Sequence, residues 1–179
     1  MPVSVEARAV VSNVNSVRAR VAAVTPVEPV ISDQDDVVFD VRRGRLMIRR
    51  TGGSAELIFY VKPEIPEPRF STYFRRALLD PESVETELTQ RFGVRSRVKK
   101  RRWTFGVDDF RINLDLVESL GAFVEVAVPV SSLAERPRAL ARMRRLLDAL
   151  NITADDLVGD EYETLLARPS AASAEGGNG

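Results

Sequence analysis

Charged side chains recur at alternate positions within short apolar segments of this chain. In "VSVEARA" Glu6 and Arg8 alternate with Val5 and Ala7. Arg49, Lys62, Arg69, Lys100, Arg102, Asp115 and Glu125 take the same place in later segments, opposite Leu46, Ile48, Leu57, Phe59, Val61, Ile112, Leu114, Val124 and Val126. A period of two puts the charges on one face of a strand and the apolar residues on the other. Clustered arginines and lysines can hold an anion; carboxylates can hold a hard cation. Composition sets limits on the chemistry. The chain has 26 basic and 26 acidic residues, a formal net charge of +0, no histidine and no cysteine. A site for anions must therefore be local, with no global pull toward nucleic acid or an anionic membrane. Thiolate zinc sites, disulfides, a cysteine nucleophile and a histidine base are all excluded. Any metal would be a hard ion such as Mg²⁺ or Mn²⁺ on carboxylates. Lys62, Lys99 and Lys100 are the lysines among the 26 bases, and "VKKRRW" is the densest basic run. Neutral net charge and the lack of further aromatic interleaving argue against a nucleic-acid patch there.

The elements that must carry these residues can be read along the chain. Residues 2–10 form a first strand, and a short helix follows, capped by Asn13 or Ser16 and turning Val17, Val21 and Ala22 inward. "DQDDVVFDV", "RLMIRR", "AELIFYVK" and "RFSTYFRRAL" read as extended, with turns at Gly44 and at "TGGS". "DPESVETELTQRFG" is a helix with Asp80 as cap, Pro81 in the first turn and Gly93 as stop. Three strands follow: "VRSRVKKRRWTF", "DFRINLDLV" and "AFVEVAVPV". A second long helix has Ser132 and Glu135 as a capping box and Leu140, Met143, Leu147 and Leu150 as its apolar stripe. A short helix is expected over 153–166, then a low-complexity tail. The 179 residues suit one domain. About eight strands with a few helices give an α+β fold dominated by an antiparallel sheet. Pattern alone leaves two arrangements open: an open sheet with one wet face, on which the charges are plain surface, or a closed barrel with a charged lumen.

The order of short motifs resembles the CYTH superfamily, the triphosphate tunnel metalloenzymes that include class IV adenylate cyclases and thiamine triphosphatases. Ser4-Val5-Glu6-Ala7-Arg8 is similar to its Glu-x-Glu-x-Lys; Gln34, Asp36, Phe39 and Asp40 resemble its Gln-x-Asp followed by an aromatic and Asp; Leu46-Met47-Ile48-Arg49 resembles Leu-Arg-Ile-Arg. "FYVKP", "RFSTY", Val98-x-Lys100-x-Arg102, "INLDLV" and "LGAFVEV" follow in the family's order. The likeness runs over residues 3–166, and implies a tunnel domain at 1–167 with a disordered tail at 168–179.

That resemblance implies an eight-stranded antiparallel barrel whose charged strand faces line a tunnel. Arg8, Arg49, Lys62, Arg69, Lys100 and Arg102 would bind a nucleotide triphosphate or other polyphosphate. Mg²⁺ or Mn²⁺ would be held by Glu6, Glu125 and Asp115. No catalytic residue can be assigned. The sequence departs from the family where Ser4, Ser71, Tyr73 and Ala127 stand at positions usually acidic, and where Met47 replaces a tunnel arginine. Six cations against three anions imply an excess of positive charge in the lumen. The expected function is an adenylate cyclase or triphosphatase with a reduced metal site; the alternative is a non-catalytic triphosphate-binding protein that has lost the metal site. A structural or partner-binding module is a third reading, opposed by the retained Glu6, Arg8, Lys100, Arg102 and Glu125. The first residues carry no secretory pattern and no stretch reaches the ~20 apolar residues of a membrane span, so a cytoplasmic protein with no membrane partner is expected, and a homodimer is compatible with the reading.

Overall fold

The charged strand faces turn inward. The computed structural model describes residues 3–168, and in it eight strands close into a barrel. The order is β1 (Val3–Val11), β5 (Arg69–Ala77), β4 (Ser54–Val61), β3 (Arg45–Thr51), β2 (Val30–Phe39), β6 (Val94–Val107), β7 (Phe110–Val117) and β8 (Gly121–Val130), with β8 returning to β1. Every neighbouring pair is antiparallel. Closure is made at β1, where Glu6 faces Arg69 of β5 on one side and Ala127 of β8 on the other, and Arg8 faces Glu125. With no free edge, each strand has one face in the lumen and one outside.

Over β1, β7, β8 and part of β2 and β3 the outer face is apolar and needs cover. α1 (Val14–Val24) and α3 (Arg136–Ala149) supply it over β1, β7 and β8, where Val5, Ile112 and Val124 pack with Val21, Met143 and Leu147. α2 (Pro81–Phe92) lays Val84 and Leu88 against Val37 and Ile48 of β2 and β3. Asp80 accepts the Ser83 N–H, and Gly93 ends the helix at φ 78°, a left-handed conformation that glycine adopts without steric cost. Asn13 caps α1 by accepting from Asn15 and Ser16.

Four expectations are corrected in detail. Ala22 of α1 is exposed; Val17 and Val21 alone of the expected three are buried. β2 begins at Val30 because the long β6 offers partners that far, Val30 opposite Thr104 and Ile31 opposite Trp103. The capping box at Ser132 does not form. A helix started there would carry Pro137 in its interior, where the missing N–H breaks the ladder. The chain instead makes a 3-10 turn at Leu133–Glu135 and starts α3 at Arg136, with Pro137 in its first turn and the Glu135 carboxylate accepting the Ser131 N–H. The single helix expected over 153–166 is a 3-10 turn at Ala154–Asp156, an extended stretch, and α4 (Tyr162–Leu166). The extended stretch is tied to β1: Leu157 bridges Ala9, and the Val158 N–H donates to the Arg8 carbonyl. Gly159 then passes so close to the β4–β5 loop that a Cβ would lie 2.6 Å from the Ile65 carbonyl carbon. Of the tail expected at 168–179, residues 169–179 lie outside the described residues; Arg168 donates to Asp160.

Candidate functional site

Successive lumen-facing residues of β7 define the axis of the site. They run from exposed Arg111 through buried Asn113 and Asp115 to Val117. At the Val117 end the barrel is filled with apolar side chains: Val38, Met47, Ile58, Val98 and Phe123 pack with Val117 and with Tyr162 of α4. Met47, standing where the family resemblance expects arginine, is part of that layer. Arg111 stands at the other, open end. Between them lies a cavity of about 290 Å³, at the small end of the ~300–1,000 Å³ typical of small-molecule sites.

Arg8, Arg49, Lys62, Arg102, Glu6 and Glu125 all line this cavity. Arg69, Lys100 and Asp115 stand in its wall and reach it through partners. The Arg69 guanidinium approaches Glu161, Lys100 donates to Asp36, and Asp115 is gripped by Arg102. All nine charged residues singled out in the sequence are thus brought around one lumen. A larger groove of about 690 Å³ is lined by Asp33, Arg50, Lys99, Leu116 and Glu118 among others, and by Lys100. Asp33 is paired there with exposed Arg101, and Arg50 with Glu85. The lumen is the better candidate because its charges are buried, and burying charge is costly unless the arrangement is used.

Each cation has a carboxylate. Arg49 donates twice to Asp36, at 2.7 Å from both Nε and Nη2. Arg8 donates through Nη2 to Glu125 at 2.9 Å and to Glu161 at 3.1 Å. Lys62 lies 3.0 Å from Glu6 and 3.2 Å from Glu161. Arg102 holds Asp115 in a fork, and Tyr162 donates to the same carboxylate at 2.8 Å. The expected balance of six cations against three anions is therefore corrected: Asp36, Glu161 and Glu163 add to Glu6, Asp115 and Glu125, while Arg75 and Arg111 also line the cavity and leave a smaller positive excess. Parity on β2 could have counted Asp36 as lumenal, together with Tyr60, Arg111 and Asn113 on their strands. No pattern pointed to Glu161, Tyr162 and Glu163, because the segment carrying them is neither strand nor amphipathic helix.

Those three residues come from the C-terminal segment, which inserts at the closed end. Tyr60 donates to Glu161 at 2.9 Å, and Arg8 Nη1 to the Asp160 carbonyl at 2.8 Å. Arg69 Nη1 ties the segment to the β4–β5 loop by donating to both Ile65 and Val158 carbonyls. Glu163 pairs with Arg45. The Arg8 guanidinium lies 4.3 Å from the centre of the Tyr162 ring, and that ring meets Phe123 edge-on.

The electrostatics follow from burial set against partners. Burial alone would push the Asp36 carboxyl up; Arg49 and Lys100 outweigh it and hold Asp36 well below the usual carboxylate range. Glu125 is likewise held low, by Arg8 and Lys62 against burial. For Glu161, burial is overcome by Arg8 and Lys62, and its pKa falls to about 2. Lys100 goes the other way: burial and then the Arg49 charge pull it down to about 8 in spite of Asp36. Asp36, Glu125 and Glu161 are thus ionised near neutrality, and Lys100 keeps its proton there with little to spare.

The carboxylates that the resemblance assigns to a divalent metal are engaged by other groups of the chain. Among the described residues no three acidic side chains come together as a metal-binding group. Glu6 accepts from Ser4 Oγ at 2.8 Å and from Lys62, Glu125 accepts from Arg8 and Asn113, and Asp115 from Arg102 and Tyr162. Their oxygens serve as counter-ions to cations of the chain itself.

A closed eight-stranded antiparallel barrel lined with buried, paired charges is the triphosphate tunnel fold. The family model for the CYTH domain matches residues 4–162, and the chain belongs to that family. A protein of Pyrococcus horikoshii has the same fold, with a TM-score of 0.79 at 22% identity over 90% of this chain and 98% of that one. A candidate adenylate cyclase of Vibrio parahaemolyticus superposes with a TM-score of 0.78 at 20% identity, covering 92% and 98% of the two chains. A Hippeastrum protein, described as a candidate adenylyl cyclase with a dominant triphosphatase activity, gives 0.61 at 14% identity over 93% and 94%. In sequence, a candidate adenylate cyclase of Methanocaldococcus jannaschii is 32% identical over 65 residues, which span 36% of this chain and 37% of that protein. Among the described residues no helix is long and apolar enough to cross a membrane.

Proposed function

We propose that the lumen binds the triphosphate end of a nucleotide, or an inorganic polyphosphate, through Arg8, Arg49, Lys62, Arg69, Lys100 and Arg102. The observation that carries this reading is the convergence of these six cations, from β1, β3, β5, β6 and the residue just after β4, around one small cavity. A triphosphate carries about four negative charges, and arginine forks suit its oxygens. Hydrolysis or cyclisation is supported by what the Hippeastrum and Vibrio relatives are said to be. Binding without turnover is the second reading, favoured by the engagement of Glu6, Asp115 and Glu125 with cations of the chain.

Titration with tripolyphosphate and with ATP, in EDTA and then in Mg²⁺ or Mn²⁺, tests both while phosphate and cyclic nucleotide are assayed. Saturable binding in EDTA without product in either metal establishes the binding protein; product formed only with metal establishes the enzyme. Arg102→Ala should weaken tripolyphosphate binding by roughly 1.5–3 kcal/mol, the scale of hydrogen bonds to charged groups. Arg138→Ala, on the exposed face of α3, should leave it unchanged. Equal losses would point to non-specific attraction and sink the assignment.

A further inference from the structure

Glu161 spreads one carboxylate over three of the six cations assigned to phosphate. Its Oε2 accepts from Arg8 at 3.1 Å and from the Tyr60 hydroxyl at 2.9 Å, and its Oε1 lies 3.2 Å from Lys62 and 3.8 Å from Arg69. It is 2% exposed. Two anionic oxygens among guanidinium, ammonium and phenol donors present the same chemistry as the oxygens of a phosphoryl group. The Asp160 carbonyl adds a further acceptor to Arg8. A phosphate seated on the same N–H and O–H groups would have to take the place of the Glu161 carboxylate.

The other lumenal anions differ in how they are anchored. Asp36, Asp115 and Glu125 sit on strands laddered on both sides. Glu161 sits between an extended stretch and α4, a helix of five residues, far shorter than the ~12–15 residues at which an isolated helix is even marginal in water. Leu165 and Leu166 are only partly buried against the apolar layer. Cations hold the segment at Asp160, Glu161 and Glu163, and Tyr162 anchors it in the apolar layer and on Asp115.

We infer that the Asp160–Glu163 segment is a built-in occupant of the phosphate seat, and that a polyphosphate binds by displacing the Glu161 carboxylate from Arg8, Lys62 and Arg69. This rests on the lumen reading above and adds to it a competition within the chain. The ligand must exceed one carboxylate in charge to win, so tripolyphosphate is favoured over orthophosphate by more than its statistical count of phosphates. Release of the segment accompanies binding.

Two measurements test this on the full chain in EDTA. Calorimetry with tripolyphosphate should show Glu161→Gln binding about tenfold or more tightly than the parent, with Glu87→Gln, an exposed acid on α2, equal to the parent. Amide hydrogen exchange of the unmodified protein should show residues 162–167 exchanging faster when tripolyphosphate is saturating. This second measurement decides the matter even if the variant folds poorly. If the parent binds and Glu161→Gln binds no better, or if exchange in 162–167 is slowed by ligand, the displacement is wrong and the lumen reading stands. If neither the parent nor the variant binds tripolyphosphate, both fall.

Discussion

Replacing Asp36 by Asn separates what the lumen costs from what it can hold. Asp36 is 3% exposed and answers two cations, a bidentate Arg49 and Lys100. Removing one partner of a buried ion pair costs about 3–5 kcal/mol, because the remaining charge is left without compensation. Here two are left. Lys100, already at about 8, can shed its proton as its partner disappears, which holds the cost toward ~3 kcal/mol. For a chain of this size each kcal/mol moves the melting temperature by about 2–4 °C, so Asp36→Asn should melt about 6–12 °C below the parent. The variant lumen holds one carboxylate fewer, and an entering polyphosphate can take its place beside Arg49 and draw the Lys100 proton back, so polyphosphate should bind the variant more tightly. At one fixed tripolyphosphate concentration, the variant's melting temperature should then rise by more than the parent's; saturation at a hundredfold over Kd adds about 2.7 kcal/mol. Asp33→Asn is the control: its pair with Arg101 is exposed, and such pairs contribute ~0–1 kcal/mol. Differential scanning fluorimetry with and without ligand reads all of this. A variant that melts with the parent, or one rescued no more than the parent, refutes the argument that Asp36 offsets buried cations of the phosphate site.

Three more outcomes are expected. Because Lys100 is held at about 8, tripolyphosphate affinity should fall by up to about tenfold per unit as pH rises above 8, and Lys100→Met should remove that fall. The stability sign is opposite: between about 8 and the ordinary 10.5 the unfolded chain keeps a proton that the folded chain has lost, so stability rises with pH across that window, as denaturant melts at pH 8 and 10 would read. Gly159→Ala should force the C-terminal segment off the β4–β5 loop, since the new methyl meets the Ile65 backbone at 2.6–2.7 Å; a loss of about 1–3 kcal/mol and faster exchange at Leu165 are expected, and parental values for both would refute the tight passage. Ala127→Glu places a second carboxylate directly opposite Glu6 across β1 and β8, within ~5 Å at Cβ; calorimetry should show Mn²⁺ binding strengthened and tripolyphosphate binding in EDTA weakened, and no change in either would show that the two positions do not share the lumen.

The barrel was legible because its information is periodic. Glu6 and Arg8, Lys100 and Arg102, and Asp115 after "INL" keep a strict period of two, and a slip of one residue would have put all of them outside. Periodicity could not say that the sheet closes, since an open sheet with one wet face has the same pattern; motif order suggested closure, and the pairing of β1 with both β5 and β8 delivers it. The anions were legible only in part. Asp36 shares the parity of Gln34, yet being counter-ion to Arg49 and Lys100 depends on register across three strands, which sequence does not print. Glu161 was invisible for a different reason: its place is fixed by Gly159 squeezing past Ile65 and by Arg69 binding the Val158 carbonyl, contacts between residues about ninety apart in sequence. Likewise the start of α3 turned on one missing amide hydrogen at Pro137, which outweighed a good capping motif at Ser132.

The apolar layer made by Val38, Met47, Ile58, Val98 and Phe123 turns the barrel into a blind alley. A pore open at both ends could thread a polymer and grip it anywhere along its length. A pocket with an oily floor admits only a terminus, and whatever goes in must back out the way it came. Long and short polyphosphates would then present the same handle, one end at a time, so the number of protein molecules a chain can carry would follow its count of ends rather than its length. For a nucleotide bound as proposed, the same floor would dictate orientation: the outermost phosphate would travel deepest, and the base would be left at the Arg111 doorway.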